Sequence, residues 1–369
     1  SSGKLFITAA AIDTISIFAV AFISHDSPFC LIIITPAIII SAALRGAVFP
    51  IVHHLGSQNK TNIGASISNV YSANVFGATL GPLLTGFLLL DYMSLQNSFL
   101  FINSCTALIG LFCLLTIKTS YILRVCSSIL STILIVILFT NQDFLSLLMT
   151  QQNLNHRHGH NANHIIQNKH GLIHTFPNPT GDIVFGSNLY DGTVNTSLMT
   201  KSNIIERAYM IPIFKQDIEN VLVIGLSSGA WVRVLTSIPS IKRIDIVEIN
   251  SGYIDLIRSY PHLSPLLSDP RVHIHIDDGR RWLNRHPSTT FDFILMNTTW
   301  HWRNYISNLL SSDFLKIIRH HLTTTGALYY NTTSSIDARY TASLVFPYSY
   351  TYKNFVIASA VDIRRKVEK

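Results

Sequence analysis

The sequence predicts two unlike parts in one chain: a membrane α-helical bundle, followed by an α/β domain built on a doubly wound sheet. Three observations carry that prediction. Long apolar runs with sparse charge fill the chain up to about Leu148, and ordinary charge density begins near Asn153. Beyond that point, strand-length and helix-length signals alternate. Between them, Val221 to Asn250 (VLVIGLSSGAWVRVLTSIPSIKRIDIVEIN) reads as strand, small-residue turn, helix and second strand. The 369 residues and the mean hydropathy of +0.33 are averages over these halves. We expect the bundle over residues 1–148, a His-rich linker over 149–178 and the α/β domain over 179–369.

The first part offers five apolar stretches, Leu5–Ser24, Phe29–Phe49, Ile67–Leu90, Phe99–Ile117 and Ile122–Thr140. Each is roughly long enough to cross about 30 Å of hydrocarbon. Five such stretches exclude a single cleavable secretory signal, and a start at Ser-Ser-Gly fits a chain lacking earlier spans. Gly77 and Gly81 have the small-xxx-small spacing at which helices pack closely in lipid. Arg45 lies near a helix end and is read as reaching toward the interface. Asp13, mid-span, is read as lining a polar cavity or as pairing with a helix outside the sequence.

Cys30, Cys105, Cys113 and Cys126 all lie in or beside these stretches and read as packing residues, with neither a disulfide framework nor a metal site. If all five stretches cross, Lys4, Lys60, Lys118 and Arg124 share one side. The positive-inside rule makes that side cytoplasmic and the α/β part external, whereas an adenosyl ligand requires the opposite. We take the multi-pass chain to carry its α/β domain in the cytoplasm.

His156, His158, His160, His164, His170 and His174 crowd the stretch between the halves without regular ligand spacing, so it reads as solvated linker and no metal is expected. The net charge of +7 is dispersed, with no basic run of the kind that grips nucleic acid. It suits the anionic surface of a lipid bilayer.

In the α/β part, the run Val221–Ile224 breaks into Gly225-Leu-Ser-Ser-Gly229. Glycines there let the backbone approach a ligand, and the following helix start offers N–H groups. The dinucleotide pattern G-x-G-x-x-G is absent, so the turn suits a compact ligand without pyrophosphate; an ordinary βαβ turn is the alternative. The next strand closes on Glu248, a third on Asp278-Gly279 and a fourth, Phe291–Met296, on Asn297. Ligand-type residues at successive strand ends of a Rossmann-like sheet mark one rim. By position, Gly225, Ser227, Gly229, Glu248, Asp278 and Gly279 would hold a nucleoside, with Glu248 on ribose hydroxyls and Asp278 on an adenine amino group. Asn297 would face the reacting centre.

These residues resemble those of the spermidine synthase (polyamine aminopropyltransferase) family from about Leu189 onward. Leu189-Tyr-Asp-Gly192 with Asn195 resembles its N-terminal element, Val221–Gly229 its cofactor turn, and Ile276-Asp-Asp278-Gly279 its adenine-side motif. Asn74, Gly77 and Gly81 resemble a helix of the membrane-fused subgroup, in which such a domain follows a transporter-like bundle. The resemblance implies a fold of the S-adenosylmethionine-methyltransferase type with a small N-terminal β element. It also implies decarboxylated S-adenosylmethionine, or S-adenosylmethionine itself, as donor, a small-molecule acceptor and a homodimer.

The departures bear on the acceptor. Where the family has a base aspartate stands Asn297, and where it has an acidic pair stand Ser202 and Asn203. Asparagine takes no proton at neutral pH. His301 is then the candidate base beside Asn297, and Asn195, Arg303 and Tyr305 the candidate acceptor contacts. Arg303 would suit a carboxylate or phosphate. Two functions follow: aminopropyl or methyl transfer to an acceptor other than ordinary putrescine, or a catalytically silent nucleoside sensor regulating the bundle.

Overall fold

The structure, a computed structural model, describes residues 2–22, 29–56, 62–116, 120–139, 162–187, 189–297, 300–303 and 306–363. It divides into two compact units, Ser1–Ala162 with Gln167–Lys169, and Asn163–Ile166 with His170–Lys369.

The first unit is helical: α1 (Ser2–Phe22), α2 (Phe29–Gly46), α3 (Val48–Gly56), α4 (Ile63–Leu84), α5 (Leu90–Tyr92), α6 (Leu95–Leu115) and α7 (Tyr121–Phe139). A π-turn at Thr85–Leu89 joins α4 to α5. Among the described residues, three helical stretches are long and apolar enough to cross a membrane: Ile34–Gly56, Ile63–Tyr92 and Leu95–Leu115. Their outward side chains include Ile38, Phe76, Phe87 and Phe112, all exposed. So large an apolar surface is unusual where water is the neighbour.

Helix α1 packs on α2 and α6, and α6 on α7. Helices α1 and α6 approach closely at Gly3 and Gly110. A methyl group on Gly3 would lie 2.7 Å from the Gly110 carbonyl oxygen, and one on Gly110 would lie 2.7 Å from Ile7 Cγ1. Small residues let these two helices touch. Gly77 and Gly81, where the sequence places such packing, face open space, and α4 buries none of its residues.

Asp13 and Arg45 also depart from expectation. Arg45 Nη2 meets Asp13 Oδ2 at 2.5 Å and Asn103 Oδ1 at 3.0 Å, while Nη1 donates to Ser41 Oγ at 2.9 Å. The pair closes within this chain, across α1, α2 and α6. An arginine that reached toward the interface would leave the mid-helix carboxylate alone among apolar side chains.

The second unit holds two sheets. The smaller runs β1 (His164–Asn168), β2 (Gly171–Phe176), β3 (Ile183–Gly186) and β4 (Leu189–Thr193) in that order. Two of these strands lie where the sequence reading puts linker, so the β element starts near His164 and not at residue 179. The histidines there made the composition read as linker. His174 is a core side chain, stacked on Phe185 at 5.2 Å and 3°, and burial lowers its pKa to about 4. His156, His158 and His160 lie outside the described residues.

The larger sheet comprises β5 (Asn220–Ile224), β6 (Arg243–Glu248), β7 (Val272–Ile276), β8 (Phe291–Met296), β9 (Leu322–Asn331), β10 (Tyr348–Tyr352) and β11 (Phe355–Ser359). Their spatial order is β10-β11-β9-β8-β5-β6-β7. Strands β5 to β9 pair in parallel, and β11 and β10 close one edge antiparallel. Val221 and Val223 enter one core, Leu222 and Ile224 the other, which is why β5 is apolar throughout. Strand order reverses between β5 and β8, and the crevice beyond that point is where such sheets bind ligands. The helices Gly252–Arg258 and Ile336–Val345 and the strand β10 appear where the sequence reading assigned nothing. After β4 the chain makes a left-handed turn at Lys201 and Asn203 and enters the short helix Glu206–Tyr209.

Replacing Arg45 with leucine strands the Asp13 carboxylate in the bundle and should lower stability by about 3 kcal/mol. The double substitution Asp13→Leu/Arg45→Leu should recover most of that loss. Thermal unfolding of the full chain in detergent distinguishes the two, and equal losses would show that the pair does not couple.

Candidate active site

The glycine turn that leaves β5 is held in a conformation few side chains tolerate. Gly225 has φ +90°, Ser227 +50° and Gly229 +75°. At Gly225 a side chain would find room, so the positive φ is what selects glycine there; at Gly229 a methyl group would lie 2.6 Å from Ile257 Cδ1. Ser227 carries the strain of a non-glycine residue in this region. Its hydroxyl donates to the Asp191 carbonyl at 2.5 Å, and that of Ser228 donates to the Thr193 carbonyl at 3.1 Å. The turn is thereby tied to β4.

Glu248 fastens the turn from the other side. Its Oε2 accepts from the Leu226 N–H at 2.6 Å and its Oε1 from the Asn250 N–H at 2.8 Å. Burial raises its pKa, and those amides oppose the rise. Each such bond to a charged group contributes about 1.5–3 kcal/mol. At the end of β7, Asp278 caps the helix Gly279–Arg285, accepting from the Arg281 N–H at 2.9 Å. Gly279 fits close against β5, where a methyl group would meet Ile224 Cγ2 at 3.0 Å.

A cavity opens beyond β5 and β8, lined in part by Asn203, Gly225, Ser227, Ser228, Trp231 and Asn297. Asn297 Oδ1 lies 3.4 Å from Asn331 Nδ2. Asn331 Oδ1 in turn accepts from Asn354 Nδ2 at 2.8 Å, and Asn354 Oδ1 accepts from Arg207 Nη1 at 2.6 Å. His301 is anchored by Thr333, whose Oγ1 accepts from its backbone N–H at 2.9 Å and stands 2.8 Å from Nδ1. Trp300 and Trp302 stack beside it, ring centres 6.0 Å apart.

Two expected contacts are placed differently. Asn195 turns its amide onto its own loop, accepting from the Ser197 N–H at 2.9 Å and donating to the Ser197 and Ser202 carbonyls. Arg303 lies 3.7 Å from Asp191 Oδ1, so a carboxyl of this chain already faces it. Tyr305 lies outside the described residues. Asp278, His301 and Asn195 are not among the described residues lining the cavity.

Asp191 is the site acid that sequence reasoning missed. It stands in the Leu189–Gly192 segment singled out above, yet the pattern there gave it no task. Its Oδ2 accepts a short hydrogen bond from the Tyr253 hydroxyl. Burial raises its pKa to about 7, with Tyr253 and Arg303 opposing and the Glu248 charge adding. Arg207, Trp231 and Asn354 were missed too, because their meeting depends on contacts across more than a hundred residues that no local spacing encodes.

With this geometry described, comparison adds the following. Residues 207–354 match the family model for the spermine/spermidine synthase domain. The chain is 30% identical over 146 residues to the polyamine aminopropyltransferase of Thermoanaerobacter sp. (strain X514), covering 39% of this chain and 52% of that protein. It is 41% identical over 83 residues to the polyamine aminopropyltransferase of Alkaliphilus oremlandii, covering 22% and 29%. The chain thus spans between under a third and about half the length of these relatives. Among solved structures it is similar to the spermidine synthase from Thermotoga maritima, with TM-score 0.47 and 21% identity over 55% of this chain and 75% of that one. A spermidine synthase in complex with the transition state analogue AdoDATO gives TM-score 0.48 at the same identity and coverage.

A carboxyl whose pKa is raised by folding keeps a proton that the unfolded chain releases. Stability therefore declines as pH climbs from about 4 to about 7 and levels off above that. For Asp191 the decline should be about 2 kcal/mol between about pH 5.5 and 7. Thermal unfolding midpoints across that range should fall in the native chain and much less in Asp191→Asn.

Proposed function

We propose that the second unit is a spermidine synthase-like transferase moving an alkyl group, aminopropyl or methyl, from an adenosyl sulfonium to an acceptor other than ordinary putrescine. The observation that carries this reading is the pinning of the Gly225–Gly229 turn by Glu248, within the stretch that matches the spermine/spermidine synthase domain. The turn, the strand-end carboxylates and the uncharged lining of the cavity suit a nucleoside with a short arm. Glu248, already fixed by two amides, has further lone pairs for ribose hydroxyls, and Asp278 stands at the adenine side. When bound, the donor supplies an electrophilic carbon whose leaving group is a neutral thioether; decarboxylated S-adenosylmethionine and S-adenosylmethionine both have this chemistry.

Asn297 at the cavity wall would orient the acceptor nitrogen by hydrogen bonding. It takes no proton, and the proton lost by that nitrogen goes to His301, whose ring Thr333 holds in one orientation. In this reading the first unit sits in the lipid bilayer, supported by its exposed apolar helices, and the second faces the cytoplasm, where such donors are found. A homodimer belongs to the same reading. The neutral Asn297 also supports a second function, a nucleoside sensor that binds without turnover.

Calorimetric titration of the full chain in detergent, with 5′-methylthioadenosine, S-adenosylmethionine and its decarboxylated form, tests the proposal. One of the three should bind, and Glu248→Ala should weaken it by about ten- to a hundredfold. Tighter binding of the decarboxylated donor means aminopropyl transfer; tighter binding of S-adenosylmethionine means methyl transfer. Turnover abolished by His301→Ala identifies the enzyme, whereas binding without turnover in the native chain identifies the sensor. A folded chain that binds none of the three rejects both.

A further inference from the structure

Behind the cavity wall lies a buried cation whose described hydrogen-bond partners are all neutral. Arg207 is 4% exposed. Its guanidinium carbon lies 4.5 Å from the ring centre of Phe355 and 5.1 Å from that of Trp231. Among the described residues, its hydrogen bonds run to Asn354 Oδ1 at 2.6 Å and to the Asn203 and Ile204 carbonyls at 3.1 and 3.2 Å. The neighbouring acid, Glu206, is paired with Lys353 at 2.6 Å and also acts on Arg207 through its charge, so one carboxylate serves two cations. Burying a cation whose counter-charge is shared is costly and points to a further balancing charge that arrives with a ligand.

Two buried donors beside it, Trp231 Nε1 and the Tyr329 hydroxyl, have no acceptor among the described residues. Trp231 and Asn203 are both walls of the cavity, so the guanidinium stands one side chain behind the space a ligand would fill. No carboxylate is among the described residues lining that space. Asp191 faces Tyr253 and Arg303, and both Glu248 oxygens serve backbone amides. The acidic groups of the site are committed to the turn and its supports, which leaves the acceptor side under the field of a buried arginine.

We propose that the acceptor is an amine bearing an oxyanion, a carboxylate or a phosphate-type group, whose charge is balanced by Arg207 and which accepts from the Trp231 indole N–H. The inference rests on the transferase reading above and names its substrate class. The step itself is unchanged: the acceptor nitrogen bonds to the donor carbon, the carbon–sulfur bond breaks with its electrons going to sulfur, and the nitrogen loses a proton. A diamine would bring a second ammonium toward a like charge across a wall of low polarity.

The test titrates the full chain in detergent, saturated with 5′-methylthioadenosine, with 4-aminobutyrate, 3-aminopropylphosphonate and putrescine. An anionic amine should bind at least about tenfold more tightly than putrescine, and the better of the two identifies the oxyanion. Arg207→Gln should erase that preference while the 5′-methylthioadenosine affinity stays within about twofold, and Arg207→Lys should retain the preference. Tighter binding of putrescine, no binding of either anion, or a ratio unmoved in Arg207→Gln overturns the inference. If Arg207→Gln does not fold, Trp231→Phe is read in its place; it keeps a ring for packing, and an unchanged anion affinity there is equally fatal. Loss of 5′-methylthioadenosine binding in the native chain overturns the transferase reading itself, whereas nucleoside binding without anion preference overturns only this inference.

Discussion

One carboxylate determines the shape of the α/β site. By accepting from Leu226 and Asn250, Glu248 joins the turn after β5 to the end of β6. The turn can then keep left-handed backbone at three alternate positions, 225, 227 and 229, including one at a serine, only because hydrogen bonds fix it at both edges. Without that brace the backbone would relax, the cavity wall would move, and β4 would lose its attachment through Ser227 and Ser228. The arrangement also explains why the acid is buried: water at its oxygens would compete with the amides it has to hold.

Charge is handled in opposite ways in the two units. In the helical unit, Asp13 and Arg45 neutralise one another and share hydrogen bonds with Ser41 and Asn103, so the apolar surroundings meet no net charge. In the α/β unit, Asp191 is shielded by Tyr253 and Arg303, while Arg207 is stabilised by dipoles, ring faces and a Glu206 charge that it shares with Lys353. Both strategies are costly to assemble, and such cost is concentrated at positions where a scaffold must meet something beyond itself.

Much of this was legible in the residue order, and the parts that were not share a cause. Strand β8 was read to the residue, and β5 and β6 within one residue, because strands buried on both faces leave an unbroken apolar signature. Helix positions in the first unit were legible for the same reason. Strands β1 and β2 were hidden because histidine and asparagine made their composition look like linker and neither strand alternates apolar with polar residues. At the site, residues at strand ends were legible from position alone, Glu248 foremost. The partnerships of Asp191, Arg207 and Arg303 were not, since each depends on chain segments that meet only in three dimensions. Arg303 shows the difference: it was read as a contact for an acceptor's carboxylate or phosphate, and a carboxyl of this chain faces it.

The contact between Gly3 and Gly110 has a temporal side. These residues are separated by about a hundred positions, and a ribosome adding about 5–20 residues per second needs roughly 5–20 s to span them. During that interval α1 has α2 beside it but not α6, and Arg45 can meet Asp13 before Asn103 exists. The ion pair is therefore the earlier fastening and the glycine contact the later one.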